Sequence, residues 1–456
     1  MISNTQVINK RIESKSTITN EKIISKLIQE HASEVLKMQK GLDYYNVNNT
    51  EINKKSPVWF DENLKASADI TAPNHQIKHG WHRLLVNQKT AYLVGRSPTF
   101  STGVDKDLED HVNEILDEDF DDDLNELVKG ASNKGKEFLH VFINKDGEFD
   151  YVVISALNII PIYDTSRQKD LEAIIHYYPI TINDETRIRA EFWDDQYVTY
   201  YVQDEDGEFK LDTSTLTNEP KESHFYYNEL GYGWGKVPFI EFPNNNEKRS
   251  DLDFYKSLID DYDLVVSSLS DDIERIQQAI YVLKGYDGES LAEFTQALRI
   301  FKAVKVSEDG GVDKISFDIP IAAKDSHLDR LEENIFLFGE GVNMKTDRFG
   351  NSPSGVALRF MYALLDGKAS ILERKFKKSM KQLFWFVVEY INMVNGKSFN
   401  YKDIGITFNK SMISNDKEIV EILEKSPYLS EESKLEHHPF VEDVQEEINR
   451  FKTQDD

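Results

Sequence analysis

Three histidines, one dense acidic run and two glycine-serine segments are the residues of this 456-residue chain whose types and spacing could do chemistry. His75, His79 and His82 stand at i, i+4 and i+7, which on a helix gathers three imidazoles on one face, as a metal site would need. No HExxH pattern and no intervening acid accompanies them, so the spacing predicts ordinary helix surface. The run Asp117–Asp123 offers carboxylates, but a calcium loop opening at Asp117 needs Gly at its sixth position and Glu at its twelfth. Asp122 and Val128 stand there, and the run reads as a solvated acidic face. Gly396-Lys397-Ser398 lacks the first glycine of a phosphate-binding loop, where Ile391 stands, and it follows a helix pattern instead of a strand. The segment 350–355 fails the nucleophile-elbow pattern because Ser354 takes the closing glycine's place. The chain has no cysteine, which excludes disulfides, thiol catalysis and thiolate metal sites. No catalytic residue, metal site or cofactor is expected.

The elements that would carry such residues are helical at both ends and β-rich in the middle, an α+β pattern. Residues 20–40 have Ile23, Ile24, Leu27, Ile28, Val35 and Leu36 near helical spacing. A second helix is expected from about Asn74 to Val94, closed by Gly95. Between Asp105 and Glu126 there are 12 acids and one Lys, yet Leu108, Val112, Ile115, Leu116, Leu124 and Leu127 keep helical spacing. From 137 to 242 the pattern is of strands, with Asp146-Gly147 and Asp206-Gly207 marking hairpin turns. Leu252, Tyr255, Ile259, Tyr262, Val266, Leu269, Ile273, Ile276 and Ile280 then alternate spacings of three and four, a heptad seam. It suits either a two-helix coiled coil or a rod packed side by side around a ring. A compact insert with a Gly-Gly turn follows, then a shorter helix with Leu328, Leu331, Ile335 and Phe338 on one face.

The segment 348–380 pairs a glycine-serine loop with a long helix that Ser354 can cap. Between Val356 and Lys381 it carries seven basic residues against two acids. Phe360, Leu364, Leu372, Phe376 and Leu383 are expected to form its buried face, and Gly367 to mark a bend or a close approach. A short strand near 405–410 and a helical tail from Asn415 complete the chain. The formal net charge is -27, so the molecule as a whole repels nucleic acid, and any DNA contact must be local or exploit repulsion. The N-terminus has no apolar signal core, and the most apolar stretch, Leu383–Val394, is too short to cross a bilayer and holds Glu389. The expectation is a soluble, intracellular protein without a membrane partner.

Four segments together resemble the portal proteins of SPP1-like siphophages: Ser354–Phe376 (SGVALRFMYALLDGKASILERKF), Tyr281–Phe294 (YVLKGYDGESLAEF), Leu328–Asn343 (LDRLEENIFLFGEGVN) and Pro427–Phe451. Ala91–Phe100 and Ile159–Asp164 are weaker matches. The resemblance implies a portal fold: wing (1–246), first stem helix (247–280), small α/β clip (281–321), second stem helix (322–340), tunnel loop (341–354), long kinked helix returning to the wing (355–410) and short helical crown (411–456). It implies a dodecameric ring at one capsid vertex, hence a virion protein assembled in the host cytoplasm, threaded by double-stranded DNA without sequence preference. Lys345, Thr346, Arg348, Asn351 and Ser352 would face DNA, with Lys345 and Arg348 making weak phosphate contacts. Leu252, Tyr255, Ile259, Tyr262, Val266 and Leu269 would pack subunits. The basic helix would balance acids of the adjacent subunit or face the tunnel. The terminase large subunit, which would hydrolyse the ATP, a head-completion adaptor, and the major capsid and scaffold proteins are the implied partners.

Two other classes fit less of the chain. A coiled-coil scaffold accounts for the heptads and acidity but not for a small insert between two rods. An acid-rich metal-dependent hydrolase needs convergent ligands, and the acids here lie in helical runs.

Overall fold

Helices and antiparallel sheets occupy separate stretches of the chain, as the α+β pattern predicts. The computed structural model describes residues 20–60, 65–69, 72–103, 105–164, 170–182, 184–215, 217–227, 230–276, 280–284, 311–315, 320–343, 345, 355–411 and 416–436, with 438, 441, 444, 448 and 450 singly. In chain order these include α1 (Asn20–Tyr45), β1 (Val58–Phe60), β2 (Ala66–Ala68), α2 (Trp81–Val94), β3 (Thr99–Ser101), α3 (Lys106–Ile115) and α4 (Glu118–Lys134). The strands β4 (Lys136–Ile143), β5 (Phe149–Ile154), β6 (Ile159–Tyr163), β7 (Leu171–Ile182), β8 (Glu185–Trp193), β9 (Tyr197–Gln203), β10 (Phe209–Leu211), β11 (Lys221–Ser223), β12 (Phe225–Tyr227), β13 (Leu230–Tyr232) and β14 (Phe239–Pro243) follow. Next come α5 (Lys256–Ile276), β15 (Ile280–Lys284), β16 (Gly311–Ile315), α6 (Ile321–Phe338), α7 (Gly355–Asn395), β17 (Gly405–Thr407), α8 (Asp416–Glu424) and α9 (Glu431–Glu436).

The chain divides into two units, one within Met1–Asn46, His82–Phe254 and Phe336–Asp456, the other within Val47–Trp81 and Tyr255–Ile335. In the first, β4 lies between β14 and β5, and β6 to β10 form a meander in the order β10-β9-β8-β7-β6, with β11 also on β9. Both expected hairpins form. Gly147 and Gly207 take φ of 85° and 83° at their turns, a conformation that only glycine adopts at no cost. α7 buries Leu365, Ala369, Leu372, Phe376, Met380, Leu383 and Phe384 in the main core with α3, α4 and β4. Each fully buried large side chain there contributes about 1.5–3 kcal/mol. α1 lays Ile24 and Leu27 on the meander, whereas Leu36 is exposed.

Several boundaries differ from the sequence pattern, each for a local reason. The acidic stretch breaks into α3 and α4 because Asp117 caps a new helix, its Oδ1 accepting from Asp119 N–H at 3.0 Å. The heptad seam ends at Ile276, and Ile280 opens β15, which pairs with β16. Leu252 sits in a 3-10 turn before α5. On α6 the buried residues are Leu331, Ile335 and Phe336, while Phe338 faces solvent. On α7, Phe360 and Leu364 are exposed, unlike Leu372, Phe376 and Leu383. Among the described residues no close approach exists at Gly367, where an added Cβ meets open space. Residues 285–310, the body of the expected clip, lie outside the described residues.

Candidate functional site

The loop expected at 341–354 is held where it leaves α6. Gly341 N–H donates to Phe336 O at 2.9 Å and Glu340 N–H to Leu337 O at 3.3 Å, with Glu340 at φ 55°. This is a Schellman stop with a non-glycine residue in the left-handed position. Gly341 is required for a different reason, since a Cβ there falls 2.3 Å from Leu85 Cδ2. One residue on, the Gln88 amide grips the backbone of Val342 from both sides. Its Nε2 donates to Val342 O at 2.9 Å, and its Oε1 accepts from Val342 N–H at 3.0 Å. Val342 itself is buried in the main core. α2 therefore fixes the departure point of the loop. Lys345 is exposed, its N–H donating to Asn343 Oδ1 at 2.9 Å.

Behind this root lies a buried charge cluster built from three distant parts of the sequence. Asp251 Oδ2 pairs with two ammoniums, Lys89 Nζ at 2.7 Å and Lys368 Nζ at 3.1 Å. Asp251 Oδ1 accepts from Asn244 Nδ2 at 2.8 Å, and Asn244 Oδ1 accepts from Lys89 Nζ at 2.8 Å. Lys368 Nζ also donates to Gly339 O at 2.9 Å, at the end of α6. Burial pulls the Lys89 ammonium down to about 8 against the opposing pull of Asp251. Burial alone would raise Asp251, but Lys368 and Lys89 outweigh it and hold the carboxylate well below the usual range. Nearby His82 is pulled down by burial to about 4 and is neutral near pH 7. Two cations on one anion, with Lys89 and Asp251 out of water and Lys368 mostly so, tie α2, the turn before α5, the end of α6 and α7 at one point.

In the second unit, the segment expected to continue α2 backwards to Asn74 is extended and lies along α5. His75, Ile77 and His79 donate alternate backbone N–H groups to Asp271 Oδ1 (2.8 Å), Ser267 Oγ (2.9 Å) and Asp263 Oδ1 (3.1 Å). The fit is metric: two extended residues advance about 6.6 Å and four helical residues about 6.0 Å. His79 Nδ1 is 2.7 Å and His75 Nδ1 2.9 Å from those carboxylates, so each carries its proton there. Asn49 also donates to Asp263, and Lys55 pairs with Asp271. Side-chain acceptors with these partners make helix impossible for 74–80 without stranding buried carboxylates, and a charged hydrogen bond of this kind is worth about 1.5–3 kcal/mol. His75 and His79 are thus stays on α5 and His82 is a core residue of the other unit. Among the described residues no three His, Asp or Glu side chains gather as a metal site, and no helix is long and apolar enough to cross a membrane.

Comparison with known proteins gives this arrangement a context. The family described as "Phage portal protein, SPP1 Gp6-like" matches residues 24–456. The chain belongs to this family. It is 40% identical over 436 residues to the portal protein of Bacillus phage SPP1, covering 94% of this chain and 85% of that one. It is 33% identical over 426 residues to the portal protein of Clostridium phage phiCD119, covering 88% and 89%.

For this member of the portal family, the expected site residues fall into three groups. Lys345 is at the surface, while Thr346, Arg348, Asn351 and Ser352 lie outside the described residues. Leu252, Tyr255 and Ile259 are already buried within the chain's own fold. Tyr262, Val266 and Leu269 are partly exposed, and Tyr262 meets His79 and Trp81 edge-on at ring distances of 4.8 and 5.3 Å. The sequence pattern missed Gln88, Lys89 and Asp251 because nothing local marks them. Asp263, Ser267 and Asp271 did leave a trace, a polar row at i, i+4 beside the heptad seam.

Proposed function

We infer that the chain is the portal subunit of a tailed bacteriophage. Copies form a dodecameric ring at one capsid vertex, through which double-stranded DNA is packaged and later ejected. The observation that carries this reading is the family match across residues 24–456. The segments 247–280 and 322–340 serve as stem, 281–321 as clip, 341–354 as tunnel loop and 411–456 as crown, with most of 1–246 and 355–410 as wing. No catalytic step is assigned to the chain. The terminase large subunit supplies ATP hydrolysis, docks on the clip during packaging and gives way to head-completion adaptors, while capsid and scaffold proteins meet the wing.

The loop root supports a mechanical role for 341–354. A loop that touches moving DNA needs a fixed base, and the Gln88 grip and the Lys368–Gly339 bond provide one. Lys345 and Arg348 make weak, sequence-independent phosphate contacts, and the acidic remainder repels the duplex from the wall. Light scattering on the purified chain, with negative-stain images of the same peak, tests the assembly. A ring of about a dozen subunits is expected, and a stable dimer at all concentrations points to a coiled-coil scaffold instead. Replacing Lys345 and Arg348 by Ala is expected to impair packaging or DNA retention; unchanged packaging and head stability refute the phosphate contacts.

A further inference from the structure

The solvent face of α7 carries an ordered stripe. Phe360, Leu364, Gly367 and Ile371 succeed one another at spacings of four, three and four, and Arg374, Lys378 and Lys381 continue at three, four and three. Phe360 is 74%, Leu364 45% and Ile371 53% exposed, and among the described residues nothing stands within 4 Å of a Cβ built at Gly367. This spacing keeps residues on the side of a helix that faces one partner, and aligned large apolar side chains mark an interaction surface. Lys368, Lys375 and Lys377 are held by the chain's own groups. Arg374, Lys378 and Lys381 are exposed and make no ion pair among the described residues. The partner must then be apolar along one half of the stripe and acidic along the other. A nucleic-acid backbone matches the basic half only.

The chain itself offers the complement, within the same unit. An open cavity of about 690 Å³ is walled by Glu114, Asp117, Asp119, Asp123, Glu148 and Asp150. Tyr151 and Tyr390 line it too, and Val394, more than half exposed, stands at its side next to exposed Met393. Burial above all, and then the neighbouring acids Asp122 and Asp119, push the Asp123 carboxyl up. We propose that the 360–381 stripe of α7 docks on the acidic α3–α4 face of a second copy of this chain, with Arg374, Lys378 and Lys381 at the mouth of the carboxylate-walled cavity. Stripe and cavity are different places on one unit, so the contact is head-to-tail and repeats from copy to copy until it closes as a ring. The inference rests on the ring assembly above and names the surfaces that make it.

Because the chain has no cysteine, the contact can be read by paired cysteines. Lys378→Cys and Lys381→Cys are each combined with Asp117→Cys or Asp119→Cys in the full chain and treated with a flexible thiol-to-thiol linker. Light scattering first establishes the assembled mass. A ladder of covalent multimers extending beyond dimers in the double variants, with no ladder in the single variants, is the expected result. Assembled rings that give no ladder with any pair overturn the docking surface and leave the ring intact. A chain that stays monomeric even with co-expressed head proteins overturns the ring, and the docking surface with it. In parallel, Arg374→Glu with Lys378→Glu is expected to lower the assembled fraction at least tenfold. Rings that form normally but lose DNA retention assign the stripe to DNA and refute the proposal.

Discussion

Removing the charge of Asp251 tests the account of the loop root most directly. In Asp251→Asn the shape is kept, but the Lys89 and Lys368 ammoniums, which share one carboxylate oxygen, face each other without an anion. Two like charges roughly 5 Å apart repel by about 3 kcal/mol at an effective dielectric of about 20. That agrees with the roughly 3–5 kcal/mol typical of breaking a buried pair from one side. Lys89→Met should cost only about 1–2 kcal/mol, since it leaves the Asp251–Lys368 pair whole, and the loss of the Lys89 contacts to Asp251 and Asn244 is partly offset by removing a desolvated ammonium. The decisive comparison is the double variant, which should be more stable than Asp251→Asn alone because it removes one of the two stranded cations. A chain with two units does not unfold in one step, so native-state hydrogen exchange of the peptides 82–94 and 336–343 is the appropriate assay. Asp251→Asn should speed exchange of the Gly341 and Val342 amides about a hundredfold. Raising the pH should relieve the variant, because Lys89 can then shed its proton. Additive effects of the two substitutions, or Lys89→Met matching Asp251→Asn, would refute a charge cluster that holds the root.

The remaining predictions address separate features. Lys89 has a folded value of about 8 against 10.5 unfolded, so the folded state binds this proton less well. Wild-type stability should therefore rise relative to Lys89→Met as pH increases from about 8 to 10.5, by up to ~3 kcal/mol; a flat difference in thermal or denaturant midpoints contradicts the burial argument. Glu340→Gly removes a left-handed strain at φ 55° and should stabilise the end of α6 by about 1 kcal/mol, seen as slower exchange at Gly341, whereas Gly341→Ala should destabilise it. Asp263→Ala strands the His79 and Asn49 donors and should loosen residues 47–81 by about 2–4 kcal/mol. Limited proteolysis should then cut that segment first, and an unchanged cleavage pattern would mean the stays carry no load.

What could be read from the sequence was whatever a short window encodes. The Asp-Gly hairpins, α1, the body of α7 and the end of α2 at Gly95 all formed where period and turn chemistry put them. The tail strand found its partner β3 as well. The histidine segment misled because 75, 79 and 82 have helical spacing, while the acceptors that stretch the chain lie on α5, far along the sequence. Phe360 and Leu364 misled for the opposite reason: apolar spacing marks a face without saying whether the chain's own core or another molecule covers it. Lys89, Asp251 and Lys368 carry no local signature at all, since a buried ion cluster exists only where three distant segments of the chain meet in space. Family resemblance pointed to the loop, but only the geometry identified Gln88 as its anchor.

The match between the extended segment and α5 has a limit built into it. Each rung of the ladder falls short by about 0.6 Å, the difference between two extended and four helical residues. Like a vernier against its main scale, the two rulers coincide over a few divisions and then part. Three rungs accumulate little more than 1 Å of slip, which hydrogen-bond geometry tolerates; about twice as many would leave donor and acceptor out of reach. The segment meets this limit by leaving the extended state at Gly80 and entering α2 at Trp81. A stay of this kind cannot be strengthened by lengthening it, so any gain in grip must come from its side chains, as His75, His79 and their carboxylates already supply.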